Sequence, residues 1–146
     1  MSMTQLLFSF QGRLNRKPYW MMMIATMVII IILLLFALIL IREHRFEFAG
    51  LTLALLVILY IPLIWINLAI GAKRLHDRDK SAWWLLLFYA APGILSTAGS
   101  QMEDVGFIIL HIISFCISVW AFVELGCLRG TPGANRYGPD PLGTSG

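Results

Sequence analysis

Four apolar runs organise the chain, at residues 19–41, 50–72, 83–98 and 106–128, separated by short charged or Gly/Ser-containing segments. The first, second and fourth are each long enough as helices, about 34 Å at about 1.5 Å per residue, to cross a hydrocarbon core of about 30 Å. The third is interrupted by Pro92-Gly93 and reaches only about 22 Å as a straight helix, so it must cross with little tilt, extend to Ser100, or thin the bilayer locally. The pattern predicts an all-α integral membrane four-helix bundle, one domain over residues 1–146. Residues 1–18, with Leu6, Leu7, Phe8 and Phe10 among polar neighbours, read as an interfacial lead-in. Residues 129–146 are rich in Gly and Pro without an apolar period and predict turns. The first run is too long for a signal-peptide core and no small-x-small cleavage site follows it, so it reads as a retained helix. Thr26 is almost its only polar side chain, which predicts a lipid-facing helix. In the second run Pro62 predicts a kink, because it lacks an N–H and crowds the carbonyl of Ile58. Asn67 and Gly71, one turn apart, predict a face that packs on another helix.

Composition adds the medium. Hydrophobic residues make up 59% of the 146 and charged residues 13%, with mean hydropathy +0.80, well outside the range of a soluble domain. The net charge of +3 does not point to nucleic acid, because the basic residues sit in clusters beside apolar runs, where they orient membrane helices. With the N-terminus inside, the inner segments hold Arg13, Arg16, Lys17, Lys73, Arg74, Arg78, Lys80, Arg129 and Arg136, and only Arg42 and Arg45 lie outside, in the loop 42–47. This asymmetry predicts both termini and the 73–82 loop in the cytoplasm. Cys116 and Cys127 fall in the last run, so no disulfide is expected. The three histidines lie in three different segments, and no metal or cofactor is expected.

Candidate chemistry concentrates between runs two and three, in Lys73-Arg74-Leu75-His76-Asp77-Arg78-Asp79-Lys80-Ser81-Ala82-Trp83-Trp84. A His-Asp pair occurs in metal phosphohydrolases, but the further ligands those enzymes use are missing. The plainer expectation is that Asp77 pairs with Arg74 or Arg78 while His76 sits at headgroup level. Ser81 is a natural N-cap for the third helix. Tyr19, Trp20, Trp83 and Trp84 read as an interfacial aromatic belt, and Trp65 and Trp120 as bundle filling. Glu124 is a carboxylate inside a membrane run, which needs a partner, and Arg74 or Arg13 lies within reach at the expected depth. Cys116, Trp120, Glu124 and Cys127 form one helical stripe, expected to face inward with Asn67 as a second buried polar group.

Three motifs carry a resemblance. They are Gly12-Arg13-x-x-Arg16-x-x-Tyr19-Trp20; Arg74-Leu75-His76-Asp77 with Ser81-x-Trp83-Trp84; and Gly133-x-Asn135-Arg136-Tyr137-Gly138-Pro139-Asp140-Pro141. In order and content the chain resembles the DUF805 family of small bacterial inner-membrane proteins. It departs from the family pattern at Ala82, where Gly is expected, at Arg78-Asp79 in place of a small-residue turn, and at Pro18 before the aromatic pair. The resemblance implies a four-helix protein of the bacterial inner membrane and supplies no reaction. With the topology it places all three motifs on the cytoplasmic face, where Arg13, Arg16, Arg74, His76, Asp77, Asn135, Arg136, Tyr137 and Asp140 are expected to form a single binding cap with cationic capacity to spare for a phosphate or an acidic partner. The resulting expectation is a binding or scaffold module for anionic phospholipid, a protein partner or a second copy. An oligomeric transporter and a lipid-active enzyme using His76 and Asp77 are the other two readings.

Overall fold

The computed structural model describes residues 2–42 and 49–143, so the charged loop expected at 42–47 lies, beyond Arg42, outside the described residues. A short helix α1, Met3–Phe8, opens the chain. Ser2 and Gln5 cap it reciprocally, the Ser2 hydroxyl accepting the Gln5 N–H at 3.3 Å and the Gln5 amide oxygen accepting the Ser2 N–H at 3.1 Å. The lead-in is thus partly helical. Helix α2, Arg16–Arg42, begins with the Asn15 side chain accepting the Lys17 N–H at 3.2 Å. Helix α3, Ala49–Asp77, continues through Pro62 without interruption. A π-helical turn, Leu86–Ala90, runs directly into α4, Ala91–Gly99. The widened turn lies where Pro92 would otherwise crowd the Phe88 carbonyl. Helix α5, Asp104–Phe122, runs into a second π turn, Val123–Cys127. No strand occurs among the described residues, apart from an isolated bridge between Asn135 and Gly138.

Among the described residues three helices are long and apolar enough to cross a membrane, Arg16–Leu40, Ala54–Asp77 and Asp104–Cys127, and Leu86–Gly99 is a shorter apolar helix. Their outer surfaces carry Ile, Leu, Phe and Met in the open, which a hydrocarbon solvent favours. The main buried apolar cluster lies at one end of the helices, where Leu14, Tyr19, Ile70, Leu75, Leu85, Phe88 and Leu125 meet. Helices α4 and α5 are joined by hydroxyls, Ser96 Oγ lying 2.9 Å from Ser114 Oγ, which donates to the Pro92 carbonyl at 2.9 Å. Gly99 lets α5 approach closely, since a Cβ there would lie 2.8 Å from His111 Nδ1.

Several helix faces differ from expectation. The inward stripe of α5 is Ser114, Ala121, Glu124 and Leu125, while Cys116, Trp120 and Cys127 point outward. The second π turn adds a residue to the helical register, which brings Glu124, Leu125 and Gly126 in succession to the protein side. Trp65 and Trp120 are about half exposed rather than filling the interior. Trp65 packs edge-on against Phe10 and donates to the Phe8 carbonyl at 3.3 Å, and Trp120 joins Trp84 and Phe88 in an aromatic cluster. Tyr19, expected in an interfacial belt, is buried in the core. Thr26 is also buried, its hydroxyl donating to the Met22 carbonyl at 2.9 Å, so α2 is not lipid-facing all round. Gly71 packs as expected, with no room for a Cβ beside Leu85, whereas the Asn67 amide donates within its own helix to the Leu63 carbonyl at 2.7 Å.

Candidate functional site

The end of α3 is shaped by its own turn. Asp79 takes a left-handed conformation, φ 55°, and the Lys80 and Asp79 N–H groups return to the carbonyls of Leu75 and His76 at 2.9 and 3.0 Å. This is a Schellman ending with Asp in the position usually given to Gly or Asn. It accounts for the departure at Arg78-Asp79, since a short polar side chain tolerates this conformation. The turn leaves Arg74 and Asp77 on the inner face of α3 and sends Arg78 and Lys80 toward α5.

Asp77 is the hub. One carboxylate oxygen accepts Arg13 Nε at 3.1 Å and Arg13 Nη2 at 3.0 Å, and the other accepts Arg74 Nη1 at 2.6 Å. Side-chain exposures of 1% for Arg13, 0% for Arg74 and 3% for Asp77 place all three out of contact with solvent. Arg13 also donates to the carbonyls of Gly133 and Thr131, both at 2.6 Å, and of Gly138 at 3.4 Å. All three guanidinium nitrogens are therefore engaged within the chain, through four hydrogen bonds and the Nη2–Asp77 ion-pair contact. The Asp77 backbone carbonyl accepts the Thr131 N–H at 2.8 Å and its hydroxyl at 3.2 Å. Gly130 lies against the carboxylate so closely that a Cβ would come within 2.5 Å of Asp77 Cγ.

Arg74 reaches further, with Nε donating to the Leu125 carbonyl at 2.7 Å and Nη2 to that of Leu128. Trp20 Nε1 donates to Gly126 at 3.0 Å, Arg16 Nη1 to Cys127 at 3.0 Å and Arg78 Nη1 to Arg129 at 2.7 Å. Each carbonyl from Leu125 to Arg129 is thus capped by a side chain from α2, from α3, or from the turn that follows α3. These are the groups a helix C-terminus leaves unpaired, at the negative end of its dipole, where cations are favoured. Lys73 does the same for α1, its ammonium donating to the carbonyls of Gln5, at 3.0 Å, and Leu6. The cluster holds more buried cations than carboxylates, and helix-end carbonyls supply the balance.

Glu124 is not paired with Arg74 or Arg13 as expected. Its Oε1 accepts Arg78 Nε at 3.0 Å and Lys80 Nζ at 2.9 Å, because Asp77 already engages Arg13 and Arg74 one turn further back on α3. Arg78, in turn, does not serve Asp77. Lys80 also lies 5.2 Å from the Trp84 ring centroid. Ser81 Oγ accepts the Trp83 N–H at 3.4 Å, the capping contact expected of it.

The tail folds over this centre. Asn135 and Gly138 exchange backbone hydrogen bonds at 3.1 Å each way, and the Asn135 side chain accepts the Tyr137 N–H at 2.9 Å. Its amide donates to the His76 carbonyl at 2.9 Å and to Thr131 Oγ1 at 3.0 Å. Tyr137 stacks flat on His76, with centroids 3.9 Å apart and planes at 5°, while His76 Nδ1 faces the Gly12 carbonyl at 3.3 Å and so carries the proton. Arg136 pairs with Asp79 at the surface, 3.1 Å. Asp140 Oδ2 accepts the Gly133 N–H at 3.0 Å and Oδ1 the Leu142 N–H at 2.9 Å, and these backbone donors hold its carboxyl below the usual carboxylate range.

Arg13, Arg74, His76, Asp77, Asn135 and Tyr137 thus meet in one cluster, with Arg136 and Asp140 on its outer side and Arg16 at its edge. Asn67 lies apart, further along α3. The spare capacity expected of the two arginines is not offered outward by Arg13, whose three guanidinium nitrogens are buried and all engaged within the chain. Lys73, Thr131, Gly126 and Gly130 belong to the centre and were missed. The glycines were the available signal, because each sits where a neighbouring side chain, Trp20 or Asp77, presses on the backbone. Among the described residues no three His, Cys, Asp or Glu side chains are close enough to share a metal ion.

The family model described as "Protein of unknown function (DUF805)" matches residues 7–139. Relatives in Escherichia coli (strain K12) include inner membrane protein YhaH, 31% identical over 90% of this chain and 86% of the relative. Uncharacterized protein YiiR is 32% identical over 96% and 90% respectively, and inner membrane protein YhaI is 31% identical over 90% and 85%. No solved structure matches. The family match takes in the Asp77 centre, both arginines that close on it, and the tail as far as Pro139, and this membrane protein accordingly belongs to the DUF805 family.

Proposed function

We propose that the chain is a four-span inner-membrane binding module with both termini in the cytoplasm, and that its folded cap presents a cationic rim to anionic phospholipid. A fourth span is supported by Leu86–Gly99, about 21 Å long, which is tied to α5 through Ser96 and Ser114. The orientation is supported by charge, since all nine basic residues counted as inner belong to the end of the molecule that carries the cap.

The observation that carries the binding reading is the division of labour among the cations. Arg13, Lys73 and Arg74 are buried and capped by the protein's own acceptors, whereas Arg16, which donates only to the Cys127 carbonyl, Lys17 and Arg129 are exposed and, among the described residues, form no ion pair. Trp83, which follows the turn after α3, is 77% exposed, as an interfacial anchor would be. Each such basic residue contributes about 1 kcal/mol of attraction to an anionic leaflet. Pairing of Glu124 with two cations argues against a proton relay, and the Tyr137 ring over His76 argues against a general base.

The test is thermal unfolding of the purified protein in neutral detergent with added phosphatidylglycerol or phosphatidylcholine. Phosphatidylglycerol should raise the midpoint more, and the triple variant Arg16→Gln, Lys17→Gln, Arg129→Gln should lose that difference. Equal shifts with both lipids, or an undiminished difference in the triple variant, would refute the rim.

A further inference from the structure

Beyond the rim, two cavities lie between α2 and α3, one of about 520 Å³ and one of about 240 Å³, and they share Ile30 and Tyr60 as lining residues. Together they form a groove along α2 from Met23 to Leu34, about 16 Å by helical rise. The groove is chemically asymmetric. Its end nearer the cap carries Thr26, Asn67 and Tyr89, and its far end is aliphatic around Leu34. Trp65, two residues before Asn67 on α3, touches Phe8 and Phe10, so the polar end lies level with the lead-in segment, whose Met3 and Phe8 are exposed beside Ser2, Thr4 and Gln5.

We infer that this groove binds one acyl chain of a bilayer phospholipid, with the ester group at the Asn67 end and the chain running toward Leu34. Amphipathic asymmetry of this kind matches a lipid, which is polar at one end only. Among the described residues the Asn67 amide makes one hydrogen bond, to Leu63, which leaves a second N–H to donate to an ester carbonyl. Size argues against a helix of a second copy, because a helical segment of the groove's length and about 10 Å diameter would fill about 1,300 Å³. Surface chemistry argues the same way. Helix docking in membranes uses small residues, whereas this groove is walled by Met27, Ile30, Leu34 and Tyr60. The close-packing glycines Gly71 and Gly126 are already occupied by Leu85 and Trp20.

The experiment uses the full chain in vesicles containing a zwitterionic phosphatidylcholine with a photoactivatable group in one acyl chain, which keeps the result independent of the rim. Irradiation should give adducts along α2 from Met23 to Leu34 in excess over Ile112 and Phe115, two exposed residues of α5. Met27→Trp, at a position 63% exposed and so tolerant of bulk, should abolish that excess and leave the α5 adducts in place, and Ile30→Trp should do the same. Arg16→Gln with Lys17→Gln should leave the groove adducts intact. Equal labelling of α2 and α5, persistence of the excess in both tryptophan variants, or crosslinks joining two copies through groove residues would each overturn the inference.

Discussion

Replacing Asp77 by Asn removes one negative charge from between two buried guanidinium groups while changing the side chain's size very little. The asparagine keeps one oxygen for either Arg13 or Arg74 and turns an N–H toward the other, so one contact of 2.6–3.1 Å becomes donor against donor. With side-chain exposure of 3% or less throughout, water cannot take over the lost role. Breaking a buried pair from one side costs about 3–5 kcal/mol, and the loss here extends to the tail, which Arg13 holds through Thr131, Gly133 and Gly138. The expected outcome is a destabilisation of about 3–5 kcal/mol in denaturant titration of the detergent-solubilised protein, with the tail becoming sensitive to protease under native conditions. A double-mutant cycle with Arg13→Gln should show coupling of about 1–3 kcal/mol. A loss below about 1 kcal/mol, the worth of an exposed pair, with a protected tail would refute the view that Asp77 holds the cap closed.

Two further outcomes follow from the same geometry. Gly130→Ala forces a methyl group onto the Asp77 carboxylate and should cost about 1–3 kcal/mol in the same titration, with faster proteolysis of the tail. Asp140 has its carboxyl held low by the Leu142 and Gly133 amides. A group depressed in the folded state stabilises at pH above its unfolded value, about 3.9, and loses that contribution as pH falls through the folded value. Tail protection measured by proteolysis or hydrogen exchange should therefore weaken on acidification below about pH 4, and Asp140→Asn should remove that acid-dependent step.

Sequence patterning located the helices closely because hydrocarbon demands long apolar runs and permits little else. Runs at 19–41, 50–72 and 106–128 correspond to α2, α3 and α5, and the Pro92-Gly93 interruption marked the short α4. It was weaker on faces. Counting residues at a constant helical angle put Cys116, Trp120, Glu124 and Cys127 on one stripe, and a single π turn at Val123–Cys127 undid that count. In the candidate site, the motif residues were legible as a set, since Arg, Asp, Asn and Tyr are conspicuous in an apolar chain. Their pairings were not, and nothing in the residue type of Lys73 marks it as the cap of α1, whose Gln5 and Leu6 carbonyls accept its ammonium.

By itself, then, the sequence determined the medium, the helix spans and which side chains had to be reconciled at one end of the molecule, because hydropathy and charge are properties of residue types. Only the tertiary structure decided that Arg13 and Arg74 share Asp77, that Glu124 takes Arg78 and Lys80, and that a run of carbonyls from Leu125 to Arg129 receives much of the remaining donor capacity. The physical reason is that every residue carries a backbone carbonyl, so the sequence cannot mark which ones a helix end will leave unpaired, nor which cation will lie within about 3 Å of them once the helices pack.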